Sequence, residues 1–210
     1  MSVDQEALYD ARLELVNFLI DAFADYPPVE LLDRLLSGEF TIPDEPVSAE
    51  LDAGFETLEQ FVAENEGRDP EAVRDDLEGE YTRVFVGPRP PILPHETSYR
   101  DDTDFRGQGL AEVEASYGAA GWAPPEEYPE ESDHVAVELG FLRYLIERQR
   151  AGHEETFGFQ RVFHEEHLSE WIDDCANDVL EETDSTFYEA AAHLLSGFVT
   201  FEEEIAGQMA

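Results

Sequence analysis

Apolar residues recur every three or four positions through most of this chain, which is the periodicity of amphipathic helices. No segment shows a convincing strand pattern, so helices account for nearly all of the regular structure. The clearest apolar stripes lie within residues 8–22, 51–62, 73–85, 110–117, 135–146, 163–179 and 187–198. The sequence therefore predicts an all-α fold, a single-domain helical bundle of about seven to nine helices over residues 1–210.

Glycine, proline and acidic residues mark several helix boundaries. A short helix is predicted over 29–36 and stops at Gly38, and Gly67 ends the helix that follows it. Asp69 then stands at an N-cap position, with Pro70 at the first helical position. These local signals agree with the apolar periodicity on either side of them.

The main interruption is the segment EYTRVFVGPRPPILPHETSY, where a helical pattern runs into a proline-rich connector. Gly87 and Pro88 end the helix, and Pro90, Pro91 and Pro94 keep the chain extended because proline fixes its own backbone and restricts its predecessor. We therefore predict a stiff hinge loop over 87–103 between N-terminal helices in 1–86 and C-terminal helices in 104–210.

Two aromatic residues precede this hinge at helical spacing. Tyr81 and Phe85 lie four positions apart and share one helix face. Their rings either border a groove that receives the apolar part of an extended or helical peptide, or they complete the core.

The Asp133-His134 pair opens a later helix and also has two interpretations. In the first, Asp133 accepts hydrogen bonds from first-turn backbone N–H groups, or Ser132 does so, and His134 is exposed. In the second, Asp133 is a fixed anion for a guanidinium, because bidentate carboxylate-arginine pairs are short and directional. His134 then adds a hydrogen bond or a pH response, since its unperturbed pKa lies near 6.5.

The hinge segment resembles the hinge of the TorD/DmsD/NarJ-type redox-enzyme maturation chaperones. In that family the pattern runs roughly Glu-Tyr-x-x-Leu-Phe-x-Gly-Pro, a short spacer, and Pro-x-Glu-Ser-x-Tyr. Val84 stands where the family has leucine, Thr97 where it has serine, and His95 where it has an aromatic residue. The positions that agree are Glu80, Tyr81, Phe85, Gly87, Pro88, Pro94, Glu96 and Tyr99.

The resemblance continues beyond the hinge to about residue 198. Ser132-Asp133-His134 is similar to the family's Pro-Asp-His turn, with serine in place of proline, and FHEEHLSEWIDD and STFYEAAAHLLSGF resemble its last two helices. In this family the Asp-His pair is associated with peptide binding or with proposed nucleotide binding, and both alternatives stay open for this chain.

What the resemblance implies is a cytoplasmic chaperone without catalytic activity, metal or cofactor of its own. Its partner would be the N-terminal leader, of twin-arginine type, or a related N-terminal segment of the apo form of a molybdopterin-containing oxidoreductase, held for cofactor insertion before export. Glu96 and Asp133 would offer carboxylates to arginine. The implied peptide-binding residues are Tyr81, Val84, Phe85, Gly87, Pro88, Pro94, His95, Glu96, Thr97, Tyr99, Asp133 and His134.

Composition narrows the choice of partner. The chain of 210 residues carries 51 acidic and 12 basic residues, all twelve of them arginine, for a formal charge of −39. No basic face is available to release counterions from phosphates, so nucleic acid and anionic membranes are disfavoured as partners. So many carboxylates would repel one another in ordinary salt, but at 1 M salt the Debye length is only about 3 Å and this repulsion is screened. The composition therefore predicts a halophilic protein.

Other chemical signals are sparse in the sequence. The single cysteine, Cys175, excludes an internal disulfide, and the N-terminal residues resemble neither a signal peptide nor a twin-arginine leader. The sequence contains no run of 18 apolar residues, so no membrane-spanning helix is predicted. His164 and His167 are three positions apart, which falls short of HExxH, and we interpret them as solvated helix surface rather than as metal ligands.

Two alternative functions remain open at this point. One is an all-α scaffold or oligomerisation subunit, and the other, less favoured, is a metal-dependent hydrolase using His164 and His167. The protein is expected to be a monomer or a dimer that exchanges halves through the hinge.

Overall fold

A computed structural model describes residues 5–43, 45–100, 106–125 and 131–209. In these ranges the chain is helical, with short π and 3₁₀ segments at Thr82–Val86 and Leu168–Glu170, and the predicted all-α class is confirmed. The α-helical segments are α1 Gln5–Phe23, α2 Val29–Leu36, α3 Ala49–Glu64, α4 Pro70–Tyr81, α5 Glu96–Tyr99, α6 Arg106–Ala119, α7 Val135–Arg150, α8 Thr156–Glu166, α9 Ile172–Glu182 and α10 Thr186–Met209.

The local boundary signals act as expected at the first turns. The Asp69 carboxylate accepts a hydrogen bond from the Glu71 backbone N–H at 3.1 Å, and Pro70 opens α4. Gly38 and Gly67 both adopt a φ of 74°, a left-handed conformation that glycine takes without steric cost. These boundaries were predictable because each depends on neighbours in the sequence.

The core is built by helices from both sides of the hinge. Helix α10 packs along α3, and α1 packs along α7. The α3–α10 approach is close at Gly54 and Gly197, where an added Cβ would lie 2.6 Å from Leu194 Cγ and 2.8 Å from the Leu51 backbone nitrogen, respectively. Side chains from both halves of the chain therefore share one hydrophobic core.

The end of α4 is continuous with the π segment, so the helix reaches Gly87 as predicted. There Tyr81 and Phe85 pack against each other with ring centroids 5.2 Å apart, and Phe85 also contacts the rings of Phe23 and Tyr188. The Tyr81 hydroxyl donates to the Phe23 carbonyl at 3.2 Å. This aromatic cluster fixes the point where the chain enters the hinge loop.

The apolar stripe over 163–179 was predicted as one helix, and the structure divides it. Helix α8 ends at Glu166, a 3₁₀ turn follows at Leu168–Glu170, and α9 begins at Ile172. His167 lies at the break with φ −131° and ψ −84°, outside the helical region. No glycine or proline marks this break in the sequence, and its stabilising contacts come from residues distant in the chain.

Candidate peptide-binding site

The hinge loop is held against the start of α7 by backbone hydrogen bonds. The Glu96 N–H donates to the Asp133 carbonyl at 2.9 Å, and the Val135 N–H donates to the Pro94 carbonyl at 2.9 Å. Between them His95 and His134 form an isolated antiparallel bridge. Residues 101–103 of the predicted hinge lie outside the described part of the chain.

Asp133 anchors this junction through its side chain. Its carboxylate accepts hydrogen bonds from the Thr97 hydroxyl at 2.6 Å and the Thr97 N–H at 3.3 Å, and its other oxygen lies 3.0 Å from His95 Nδ1. Burial alone would raise the pKa of Asp133, but the hydrogen bonds from His95 and Thr97 outweigh it and lower that pKa to about 2. Asp133 is therefore an ionised internal anchor, and only 1% of it is exposed.

The N-cap of α7 is His134, so the expectation that Ser132 or Asp133 caps this helix is wrong. His134 Nδ1 accepts the Ala136 backbone N–H at 3.2 Å, which an imidazole can do only when that nitrogen is unprotonated. The expectation of an exposed His134 is also wrong, because the residue is 2% exposed. Burial and then the nearby His95 lower the pKa of His134 to about 3.

Glu96 is the central acid of the site and is completely buried. Its carboxylate oxygens lie 3.0 and 3.1 Å from His167 Nδ1, and one of them accepts a hydrogen bond from Arg100 Nη1 at 2.5 Å. The second nitrogen of His167 lies 2.9 Å from the Ser116 hydroxyl, which ties α6 to the same cluster. His167 is thus fully engaged by residues from α5 and α6.

A second buried acid, Glu138 on α7, lies beside Glu96. Burial, followed by the negative charge of Glu96, raises the pKa of Glu138 well above its ordinary value. The Trp171 indole N–H donates to Glu138 Oε2 at 3.2 Å. Because burial and the charge of Glu96 favour the protonated acid, Glu138 carries less negative charge than an exposed carboxylate would.

A surface cleft of about 750 Å³ lies next to this cluster, between α6 and α8. We call it the α6–α8 cleft. Its apolar wall includes Phe159 and Val162, which are 36% and 37% exposed. The apolar lining residues are Ala115, Ala119, Phe159, Val162 and Phe163, and the polar ones are Arg100, Glu112, Ser116, Glu165, Glu166, His167 and Glu170.

The twelve residues implied by the resemblance fall into separate groups. Residues His95, Glu96, Thr97, Asp133 and His134 meet at the junction of hinge and α7. Tyr81, Val84 and Phe85 pack in the core, and Pro94 is buried beside the junction.

The remaining three lie toward the surface. Gly87 is half-buried and Pro88 is exposed. Tyr99 is half-buried, packs with its ring centroid 5.6 Å from that of Trp171 at an interplanar angle of 34°, and donates its hydroxyl proton to Asp178 at 3.0 Å. A role of any of the twelve in holding a peptide stays a prediction.

The sequence interpretation missed the residues of the cleft and those that connect it to the hinge. Arg100 and His167 line the cleft and bind Glu96 behind it. One signal was present in the sequence, because His164, His167 and Trp171 continue the inward stripe that contains Phe163. The sequence of α6, which forms the opposite wall of the cleft, contained no comparable signal that it faces a cleft.

The interpretation of His164 and His167 as solvated surface is wrong. His164 is fully buried and His167 is 2% exposed. Neither ring nitrogen of His164 has a hydrogen-bond partner among the described residues, whereas both nitrogens of His167 are engaged. The two imidazoles therefore have different surroundings, and in the described ranges neither belongs to a group of three clustered metal-ligand atoms.

His164 predicts a pH effect on stability. Burial, with a further contribution from Arg12, lowers its pKa to about 4 from an ordinary 6.5. The unfolded chain then binds a proton that the folded chain does not, so stability falls as pH decreases from 6.5 towards 4. Replacing His164 with leucine should reduce the slope of unfolding free energy in this window by up to about 1.4 kcal/mol per pH unit.

Urea unfolding at fixed salt across pH 4–7 measures this slope. His153→Leu is the matched control, because His153 has a side chain that is 38% exposed. If the slope of unfolding free energy against pH is unchanged in His164→Leu, a lowered pKa of His164 is contradicted.

The described residues form an all-helical scaffold with an apolar, acid-rimmed cleft. A family model described as the nitrate reductase delta subunit matches residues 44–177, so this chain belongs to the nitrate reductase delta subunit family. Proteins of this family are maturation chaperones of molybdoenzymes and act with a nitrate-reductase-like catalytic subunit. A comparison with curated proteins found no match. Among the described residues, no helix is both long and apolar enough to cross a membrane.

Proposed function

We propose that this protein is a cytoplasmic chaperone that binds the N-terminal leader, or a related N-terminal segment, of a molybdopterin-containing oxidoreductase precursor. It holds the apo precursor until its cofactor is inserted and before export. Family membership supports the client class, and the α6–α8 cleft supports the binding mode. The protein acts here by binding, and the cleft is the observation on which the proposal depends.

The shape of the cleft suits an amphipathic segment. Phe159 and Val162 are three positions apart and lie on the same face of α8, while Ala115 and Ala119 are four apart and form a shallow wall on α6. An apolar floor of one or two helical turns between two helices is the geometry that receives the apolar face of a peptide helix.

The charge of the rim suits a basic segment. Four carboxylates line the cleft, those of Glu112, Glu165, Glu166 and Glu170, and Arg100 is its lining cation among the described residues. In molar salt long-range attraction is screened, but close carboxylate-arginine hydrogen bonds keep their directionality. Arginine residues flanking an apolar stretch would therefore be recognised at short range.

The predicted hinge residues have an indirect part in this proposal. Tyr81, Val84 and Phe85 fix the entry of the hinge from the core, and Asp133 fixes its exit onto α7. The hinge then carries Glu96 and Arg100 to the inner end of the cleft. Apolar recognition comes from α6 and α8 instead of from the hinge aromatics.

A pair of valine variants tests the cleft directly. Val162 lines the cleft and is 37% exposed, while Val47 is 44% exposed and lines a different pocket. Fluorescence titration of a labelled twin-arginine leader peptide in high salt should show about three- to tenfold weaker binding to Val162→Ser, which corresponds to about 0.7–1.4 kcal/mol of lost apolar contact. Val47→Ser should bind as the wild type does.

Two results would refute the proposal. One is equal affinity for an unrelated basic peptide of the same length and charge. The other is an equal loss of affinity in Val47→Ser, which would place the peptide elsewhere and favour a scaffold role for the cleft.

A further inference from the structure

Arg100 blocks the access of any client arginine to the buried acid of the site. Glu96 has no exposed surface, and among the described residues Arg100 and His167 both line the α6–α8 cleft and bind Glu96. Only Arg100 has a flexible side chain that can move away into the cleft. Among the described residues, the space that Arg100 occupies is therefore the route from the cleft by which a guanidinium of another polypeptide reaches Glu96.

The surroundings of Arg100 form a receptor for a guanidinium group. Nη1 donates to Glu96 Oε1 at 2.5 Å and to the Glu166 backbone carbonyl at 3.2 Å, and Nη2 lies 3.9 Å from Glu112 Oε2. These acceptors come from α5, the C-terminal end of α8, and α6. The last carbonyls of a helix also favour a cation. Nothing in this arrangement requires that the guanidinium belong to this chain.

We propose that Arg100 is an internal ligand of this guanidinium site and that an arginine of the bound segment takes its place. This inference depends on the proposed function for the identity of the incoming polypeptide. The exchange replaces one cation by another beside the same buried carboxylate. Release of Arg100 without replacement is unfavourable, because it would leave Glu96 buried without its cationic partner.

Exchange also explains how the site would discriminate among basic segments. A lysine ammonium could replace Nη1, which donates to both Glu96 and the Glu166 carbonyl, but it cannot also place a second donor nitrogen towards Glu112. A client that lacks arginine leaves Arg100 in place. A client arginine can bind only those molecules in which Arg100 has left the site, so the apparent affinity is reduced in proportion to that fraction of molecules. Removing Arg100 should therefore raise the affinity for arginine-bearing peptides.

Chemical rescue tests the receptor without any peptide. In Arg100→Ala, millimolar methylguanidinium chloride should raise the melting temperature relative to the same concentration of methylammonium chloride, both in molar NaCl. The wild type and Arg161→Ala should show no such difference, since Arg161 pairs with an exposed glutamate on α8. Equal responses of Arg100→Ala to the two cations would overturn the receptor assignment. If Arg100→Ala does not fold, Arg100→Gln is used, with the same comparison of cations.

Peptide titration tests the exchange. Arg100→Gln should bind an arginine-bearing leader peptide about tenfold more tightly than the wild type, which is about 1.4 kcal/mol, and its affinity for the lysine-substituted peptide should change less than threefold. Arg161→Gln removes the same charge beside the same cleft and should change both affinities less than threefold. If Arg100→Gln binds the arginine peptide no more tightly than the wild type does, a client arginine does not take the place of Arg100. This conclusion holds even if methylguanidinium stabilises Arg100→Ala.

The two proposals fail in different ways. If the wild type binds the leader and Arg100→Gln gains nothing, the exchange is wrong and the chaperone function stands. If neither the wild type nor Arg100→Gln binds any leader peptide, the proposed function and the exchange both fail, while rescue by methylguanidinium still reports on the receptor.

Discussion

Replacing Glu202 with alanine should destabilise the protein by about 3–5 kcal/mol, because it leaves Arg12 as an uncompensated charge in the core. Glu202 has no exposed surface and Arg12 is 2% exposed. Arg12 Nε and Nη2 each donate to a different oxygen of Glu202 at 2.7 Å. Urea unfolding at constant high salt measures the loss.

The effect is large because the pair belongs to a network that joins four helices. Arg12 on α1 also donates to Gln149 on α7 at 2.8 Å, and Gln160 on α8 donates to Glu202 on α10 at 2.8 Å. All four helices therefore lose a common hydrogen-bonding partner.

Two further variants distinguish the loss of the Arg12–Glu202 pair from the general effect of removing a charge. Glu165→Ala removes an exposed carboxylate that pairs with Arg161, and such surface pairs contribute about 0–1 kcal/mol. The double variant Arg12→Met/Glu202→Leu should be less destabilised than either single variant, since it removes both buried charges. A small loss in Glu202→Ala, similar to that of Glu165→Ala, would show that Arg12 finds another partner.

The helices could be predicted because their signals are local. Asp69, Pro70, Gly38 and Gly67 act on backbone groups a few residues away, and the structure places each as expected. The loop after Gly87 could be predicted for the same reason, since prolines restrict the backbone wherever they occur. The helix α5, Glu96–Tyr99, lies within the predicted hinge loop and was not predicted. The family resemblance added what these rules could not, by pointing to the hinge and to the start of α7 as one site.

The partners of the hinge were beyond sequence reasoning. Thr97 and Asp133 are 36 positions apart, and nothing in the local pattern shows that they share a hydrogen bond. His167 and Glu96 are 71 positions apart, and their contact accompanies the break between α8 and α9. Contacts of this range depend on how helices dock, which periodicity does not specify.

The high acidity of the chain also led to the wrong assignment of His164 and His167 to the surface. In a chain with 51 acidic residues, a His-Glu-Glu-His segment is most simply placed on a solvated face. The apolar neighbours Phe163 and Trp171 instead turn His164 and His167 inward, and a few acids, Glu96, Asp133, Glu138 and Glu202, are buried with them. Three of these buried acids, Glu96, Asp133 and Glu138, lie in or beside the candidate site.

Replacing Asp133 with alanine should destabilise the protein by about 2–4 kcal/mol at neutral pH, because it leaves the half-buried donors of Thr97 and His95 without their acceptor. The carboxyl has a folded pKa of about 2 against an ordinary 3.8, so its contribution is present above pH 3.8 and is lost as pH falls through 2. The difference in stability between the wild type and Asp133→Ala should therefore shrink over that range in acid titrations followed by circular dichroism.

Two control variants distinguish anchoring of the hinge from direct binding of a client arginine. Glu131→Ala removes an exposed carboxylate two positions away and should change stability little. Thr97→Val keeps the charge of Asp133 but removes the hydroxyl that donates to it at 2.6 Å. If Asp133 acts by fixing the hinge beside the α6–α8 cleft, Thr97→Val weakens leader binding together with stability. If Asp133→Ala alone weakens binding while Thr97→Val binds normally, the carboxylate itself contacts the client, and Asp133 is a binding residue as the family resemblance implies.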